Sequence, residues 1–92
     1  MNTPFYVVSF VNTVWAVATQ KTLCEATKIE LPFMPTPRMI TESCGLSVRF
    51  TEEQFEAVIA AVEDLPDKTG IKGCYFIDPD EMKSREVMIR SL

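Results

Sequence analysis

The chain has 92 residues, enough for one small domain with a limited core, and its 47% hydrophobic and 24% charged residues indicate a globular protein rather than a disordered one. Its formal net charge is −4, and its nine lysines and arginines form no basic cluster, which disfavours a nucleic-acid-binding role. The longest apolar run, Phe5–Val11, is too short to cross a bilayer, and no signal-peptide pattern surrounds it. We therefore expect a cytoplasmic protein without membrane contact.

The N-terminal third of the sequence predicts a strand followed by a helix. Phe5–Val11 is rich in aromatic and β-branched residues and apolar on both faces, as in a central strand. Asn12 or Thr13 can cap the helix that follows, which is predicted to end near Lys28. The residues predicted to face the core from this helix are Trp15, Ala16, Leu23 and Ala26.

The middle of the sequence predicts two strands joined by a loop. Ile29–Met34 is predicted to be a short edge strand, because Pro32 within it cannot donate a hydrogen bond to a neighbour. Pro35–Gly45 contains two prolines, a glycine and several hydroxyl residues, which is typical of a loop. Leu46–Phe50 alternates apolar and polar side chains and predicts a half-buried strand.

The next segment predicts a second helix and a last strand. Thr51 and Gln54 have the spacing of a capping box, and Pro66 ends the helix that they begin. One stripe of this helix is apolar and consists of Phe55, Val58, Ile59, Val62 and Leu65. Cys74–Asp78 is predicted to be the final strand.

The element order is β-α-β-β-α-β, which predicts an α+β fold of the ferredoxin-like kind: a four-stranded antiparallel sheet with two helices on one face. We expect residues 1–78 to form this domain and residues 79–92 to form a tail with a short C-terminal helix. That helix could pack over Val14 and Val17, which lie outside the predicted buried face of the first helix, or it could bind a partner.

The three cysteines, Cys24, Cys44 and Cys74, are too widely spaced for a paired-thiol motif, and the sequence has no histidine. A disulfide framework and a zinc site are therefore both disfavoured, and we expect free thiols in a reducing compartment, with no metal or cofactor. Cys24 and Cys74 lie in a predicted helix and a predicted strand, where a free cysteine acts as a small buried hydrophobic residue.

Cys44 has a different setting, in the loop directly before a strand. A thiol reacts as its thiolate, so a reactive cysteine needs exposure and nearby cations or backbone N–H groups. Gly45 permits unusual backbone angles and a close approach by a reactant. Arg38 and Arg49 are the nearest cations in sequence, whereas Glu42 opposes them. From these residues alone, a reactive and a purely structural Cys44 both remain open.

The sequence also resembles a known family, the selenium/sulfur carrier-like proteins, a small domain of unknown function. The matching features are a "YVVSF" strand, an alanine-containing helix, "PFMPTPR", "SCGLSVRF" and an acidic amphipathic helix. The most specific of them is Pro37-Arg38 followed, after a short spacer, by Ser43-Cys44-Gly45. The resemblance covers roughly residues 5–78, and the first helix departs from it through the bulkier Trp15 and Val17.

The resemblance implies that Cys44 holds sulfur or selenium as a persulfide or perselenide. Its partners would be a protein donor, for example a cysteine desulfurase, and a protein acceptor. Backbone N–H groups near Gly45 would stabilise the anion and Arg38 would pair with it. The residues expected to form the binding site around Cys44 are Pro37, Arg38, Ser43, Gly45 and Arg49.

Three other functions are weighed against this one. A non-catalytic binding module would use the sheet face opposite the helices. Alternate residues of Phe5–Val11 are too apolar to remain exposed to water there, so this face would form a homodimer or bind another protein. A metallochaperone would need paired cysteines after the first strand, which are absent from the sequence. A classical enzyme lacks a histidine partner for the thiol, so the residues favour a carrier or binding protein.

Overall fold

One antiparallel sheet of five strands, with two helices on one of its faces, makes up the computed structural model, which describes residues 3–37, 40 and 45–89. The elements are β1 (Phe5–Phe10), α1 (Thr13–Thr27), β2 (Phe33–Pro35), β3 (Leu46–Phe50), α2 (Phe55–Glu63), β4 (Ile71–Asp78) and β5 (Lys83–Val87). The strands lie in the order β2-β3-β1-β4-β5, and each neighbouring pair is antiparallel. Among the described helices, none has the length and apolarity of a membrane span.

The α+β class, the antiparallel sheet and the two helices confirm the prediction, but the four-stranded sheet with a C-terminal helix is wrong. Lys83–Val87, predicted to be helical, form β5 and pair with β4. A tight turn sends the chain back: the Asp78 carboxylate accepts hydrogen bonds from the N–H groups of Asp80 and Glu81, at 3.1 and 3.2 Å. The ladder with β4 therefore overrides the helical spacing of the apolar residues in the tail.

Strand β1 is buried along its whole length, which confirms that it is a central strand. Its side chains alternate between two separate clusters. Tyr6, Val8 and Phe10 face the helices and belong to the main core. Phe5 and Val7 point to the opposite face and belong to a second, smaller cluster.

Helix α1 packs through a set of residues that differs in part from the predicted one. Ala16 and Leu23 are fully buried as predicted, and Thr19 joins them, whereas Ala26 is exposed and its predicted burial is wrong. Val14 and Val17 are 77% and 51% exposed, because the described part of the tail runs along β4 rather than over this helix.

The ends of the helices are fixed by local hydrogen bonds. The Asn12 side chain accepts from the Trp15 N–H at 3.0 Å, which confirms the predicted cap of α1. The Gln54 side chain accepts from the Thr51 N–H at 3.0 Å, as in the predicted capping box before α2. Val58 and Val62 of the predicted stripe are fully buried, and its other members, Phe55, Ile59 and Leu65, pack against the same core.

Replacing Gly70 by alanine is expected to destabilise the fold. The ring of Trp15 lies against Gly70, so an added Cβ would overlap it and force the indole to move. We expect the Gly70→Ala protein to lose about 1–3 kcal/mol in the free energy of unfolding, measured by urea denaturation.

Gly45→Ala is the matched control, because a Cβ added there meets no atom of the described residues within 4 Å. Its free energy of unfolding should change by less than about 0.5 kcal/mol. Equal losses in the two variants would contradict the packing of Trp15 on Gly70.

Candidate functional site

The β2–β3 hairpin closes the base of the loop that carries the predicted site. Phe33 pairs with Val48, and Pro35 pairs with Leu46 at the loop end of the ladder. One step further, the Thr36 N–H donates to the Gly45 carbonyl at 3.1 Å. The edge position predicted for the second strand is confirmed, although that strand covers Phe33–Pro35 rather than Ile29–Met34.

Cys44, Arg38 and Ser43 lie outside the described residues, so the predicted reactive cysteine and two of its predicted partners stay predictions. Gly45, the covalent neighbour of Cys44, is described and exposed at the start of β3. Pro37, at the other end of the loop, is described and half-buried.

A row of hydroxyl groups lies beside the loop base, on the sheet face opposite the helices. The hydroxyls of Thr36 and Ser47 are hydrogen-bonded at 2.8 Å and link the two strands of the hairpin. Ser9 pairs with Ser47 across β1 and β3, and its hydroxyl donates to the Gly73 carbonyl at 3.4 Å. Both serines are fully buried, so these bonds satisfy polar groups that water does not reach.

The sequence did not predict this row of hydroxyl groups. A visible signal was the serine within the apolar run "YVVSFV", since a hydroxyl inside a fully buried strand needs a partner. The Tyr75 ring borders the row, because a Cβ added at Gly73 would lie 3.1 Å from the Tyr75 hydroxyl oxygen.

Ile40 anchors the loop to the sheet. Its N–H donates to the Pro37 carbonyl at 3.0 Å, the i to i+3 bond typical of a β-turn. Its side chain is only 7% exposed and packs in one cluster with Phe5, Val7 and Ile77. The described residues that flank Cys44 are therefore held by hydrogen bonds at Thr36 and Gly45 and by burial at Ile40.

This packing corrects the expectation that the face opposite the helices is open. Alternate residues of Phe5–Val11 were expected to need a second copy or another protein to shield them from water, and the ones on this face are Phe5 and Val7, with Ile77 of β4 beside them. They are buried within the single chain, under Ile40 and two half-buried neighbours, Met34 and Tyr75. The apolar surface for which a homodimer through this face was expected is therefore already covered within the single chain.

Gly45 does not use the backbone freedom for which it was singled out. None of the described glycines has a positive φ, so the conformation at Gly45 is open to other residues. What remains is space, since the described residues leave the position of its missing Cβ free to 4 Å.

Arg49 lies on the same sheet face but away from the loop base. Its exposed guanidinium sits 4.5 Å from the centre of the Phe5 ring, a cation–π distance. It follows Gly45 by four residues along β3, which corresponds to about 13 Å between the two Cα atoms. Its predicted role beside Cys44 stays a prediction.

The other two thiols have structural settings. Cys74 is fully buried in β4, and burial raises the pKa of its thiol from 9.0 to about 12, partly offset by a hydrogen bond with the Tyr75 backbone. The Cys24 sulfur is half-buried against the core and accepts the Leu31 N–H at 3.4 Å. Within the part of the chain that the structure describes, no three His, Cys, Asp or Glu side chains could hold a metal ion.

The described residues define a small α+β protein in which the two stems of the β2–β3 hairpin flank the loop that contains Cys44. Residues 5–75 match the family described as "Putative Se/S carrier protein-like", and the chain belongs to that family. This confirms the resemblance seen in the sequence. The match ends within β4, so β5 lies beyond it. No curated protein and no solved structure matches the chain.

Replacing Ile40 by alanine tests whether the loop is anchored as described. Loss of its buried side chain leaves Phe5, Val7 and Ile77 partly uncovered, so we expect a loss of about 2 kcal/mol in the free energy of unfolding. Met88→Ala is the control, since Met88 is 89% exposed and its truncation should cost less than about 0.5 kcal/mol. Equal urea midpoints for the two variants would show that Ile40 does not cover this cluster.

The raised pKa of Cys74 predicts a loss of stability at alkaline pH. The folded chain holds this proton more tightly than the unfolded chain does. The stabilising contribution of the protonated Cys74 thiol to the free energy of unfolding is therefore complete below pH 9.0 and declines as the pH rises towards about 12. Cys74→Ala should lack this component when urea unfolding is compared between about pH 8 and about pH 10.5. Parallel declines in the two proteins would contradict the assignment of the slope to Cys74.

Proposed function

We propose that this protein carries sulfur or selenium on Cys44 and delivers it to an acceptor protein. The observation that carries the proposal is the family match, which spans residues 5–75 and so includes Cys44 and the loop around it. The donor and the acceptor are proteins that bear a thiol, and a cysteine desulfurase is a suitable donor. Free thiols of this kind are maintained in a reducing compartment, and we propose the cytoplasm.

The reaction needs no metal and no change in overall oxidation state. The Cys44 thiolate attacks the outer sulfur of a donor persulfide, R–S–SH. The bond between the two donor sulfurs breaks, the donor leaves as the thiolate R–S⁻, and Cys44 becomes Cys–S–SH. An acceptor thiolate then attacks the outer sulfur in the same way, which returns Cys44 to its thiolate. With a donor that bears R–S–SeH, the same exchange transfers selenium.

The geometry of the loop base supports this role. A carrier must present its thiol to two different proteins, so its loop needs a defined position and an accessible side. The hydrogen bonds of Thr36 to Gly45 and to Ser47 hold the two stems together. Gly45, at the start of the second stem, is exposed.

The settings of the other thiols also favour Cys44. At neutral pH Cys74 is a buried, protonated thiol, and a thiol in that state is a poor nucleophile. The Cys24 sulfur already accepts a backbone hydrogen bond inside the helix-side packing.

The residues next to Cys44 are assigned supporting roles. Arg38 pairs with the thiolate or persulfide anion, Ser43 and the Gly45 N–H contribute hydrogen bonds, and Pro37 shapes the start of the loop. Arg49 contributes positive charge to the same sheet face. For the scaffold, we propose that β1–β4 with α1 and α2 form a ferredoxin-like unit, supported by the order β2-β3-β1-β4, with β5 as an added edge strand.

The proposal predicts that Cys44 is the residue that acquires sulfur. Wild-type chain treated with a small persulfide donor such as glutathione persulfide should gain the mass of one sulfur atom on the peptide that contains Cys44. Cys44→Ser should lose this adduct, since a serine hydroxyl forms no persulfide. Peptide mass spectrometry under non-reducing conditions measures both.

Cys24→Ser is the control variant and should load as the wild type does. Transfer is shown when the loaded protein passes its added sulfur atom to a second thiol. Loading that persists in Cys44→Ser, or an adduct found only on Cys24, would overturn the assignment.

A further inference from the structure

A groove runs between α1 and α2 on the solvent side of the two helices. It consists of two hollows, of about 410 Å³ and about 190 Å³, which meet at Thr22. Ala26 lines the first hollow and Trp15 lines the second. These two residues lie eleven positions apart in α1, so the groove is about 16 Å long, the length of three helical turns.

The walls of the groove are made of small side chains, most of them exposed to solvent. They are Ala18, Thr22 and Ala26 of α1 and Ala57, Ala60 and Ala61 of α2. Small side chains on two neighbouring helices leave space for a third helix to lie along them and let its backbone come close. The shape of the groove therefore suits a helix of about three turns.

Both charged residues that line the groove, Asp64 and Asp67, are acidic. The Asp67 carboxylate accepts the Thr69 N–H at 2.9 Å, which fixes its position. Within the described part of the chain, neither aspartate forms an ion pair. The lysine next to them in sequence, Lys68, directs its ammonium to the Leu65 carbonyl at 2.9 Å. Two carboxylates beside an apolar floor favour a partner segment that carries lysine or arginine.

The whole helical side of the molecule has the same sign of charge. Residues 13–28 and 51–68, which contain both helices, hold seven acidic residues and three lysines, a net charge of −4. The other described residues hold five acidic and four basic ones, a net charge of −1. The three lysines, of which none lines the groove, are Lys21, Lys28 and Lys68. A second copy of this chain, an anionic membrane or a nucleic acid would therefore meet like charge on this side.

We infer that this groove binds a basic amphipathic helix of another protein. The apolar side of that helix lies against the alanines, and its lysines or arginines lie beside Asp64 and Asp67. Ile40 and the hydroxyl row lie on the opposite face of the sheet, so a partner in the groove leaves that face uncovered. The inference goes beyond the proposed function, because it requires no chemistry at Cys44.

The test uses a reporter that the chain already contains. Trp15 is its single tryptophan and lines one end of the groove. The probe is a synthetic helical peptide of about 18 residues without tryptophan, with alanine and leucine on one side and lysine on the other. A peptide with glutamate in place of every lysine is its control. Titrations followed by the fluorescence of Trp15 give a Kd for each peptide.

We expect the basic peptide to change the emission of Trp15 with a Kd in the micromolar range, and the acidic peptide to leave it unchanged. Asp64→Lys should raise the Kd of the basic peptide about tenfold or more, because it replaces attraction by repulsion inside the groove. Glu86→Lys makes the same change of charge on the exposed strand β5 and should stay within about twofold of the wild type.

A second pair of variants tests the shape of the groove. Thr22→Phe fills the point where the two hollows meet and should abolish binding of the basic peptide. Ser84→Phe adds the same ring at an exposed position of β5 and should leave the Kd unchanged. Urea unfolding shows whether each variant is folded.

Four results would overturn the inference. The first is an equal response, or none, to the basic and the acidic peptide. The second is equal weakening by Asp64→Lys and Glu86→Lys, which would reduce the effect to net charge. The third is a wild-type Kd in Thr22→Phe, which would place the peptide elsewhere. The fourth is a dimer in sedimentation equilibrium that Thr22→Phe dissociates, which would identify a second copy as the occupant.

Discussion

Burial of β1 on both faces is the constraint on which the rest of the structure depends. A strand that is apolar on both sides must be covered twice, and two helices cover only the side of Tyr6, Val8 and Phe10. The cover on the other side comes from Ile40, in the loop between β2 and β3. The packing that buries β1 therefore also fixes the position of Ile40 within the loop.

Cys74 shows how burial gives a thiol a structural role. Cys74 lies opposite Val8 in the ladder between β4 and β1, where desolvation favours the neutral thiol. Gly45, by contrast, is exposed and directly precedes β3 at the loop end of the hairpin. The sheet thus keeps the Cys74 thiol protonated in its interior. The proposed carrier cysteine, Cys44, precedes Gly45 in the sequence, next to the exposed start of β3.

The sequence predicted best where a pattern repeats within one element. The period of α2 and the double-sided apolar run of β1 each specify their burial locally. The prediction of a helix in the tail was wrong because Lys83–Val87 become a strand through pairing with β4, a non-local interaction that no local spacing reveals. Ile40 was missed for a related reason: a lone apolar residue in a loop has no period, and its burial depends on where the loop returns. The motif around Cys44 was found from residue types, whereas the hydroxyl row beside it needed the strand register.

The two outer strands have a consequence for how the protein behaves at high concentration. β2 is only three residues long and ends in Pro35, which has no N–H to offer a new strand. β5 exposes Lys83, Arg85 and Glu86 along the other border. If two copies met in antiparallel fashion through β5, a central Arg85 would face its own copy. Both borders thus discourage edge-to-edge growth into aggregates.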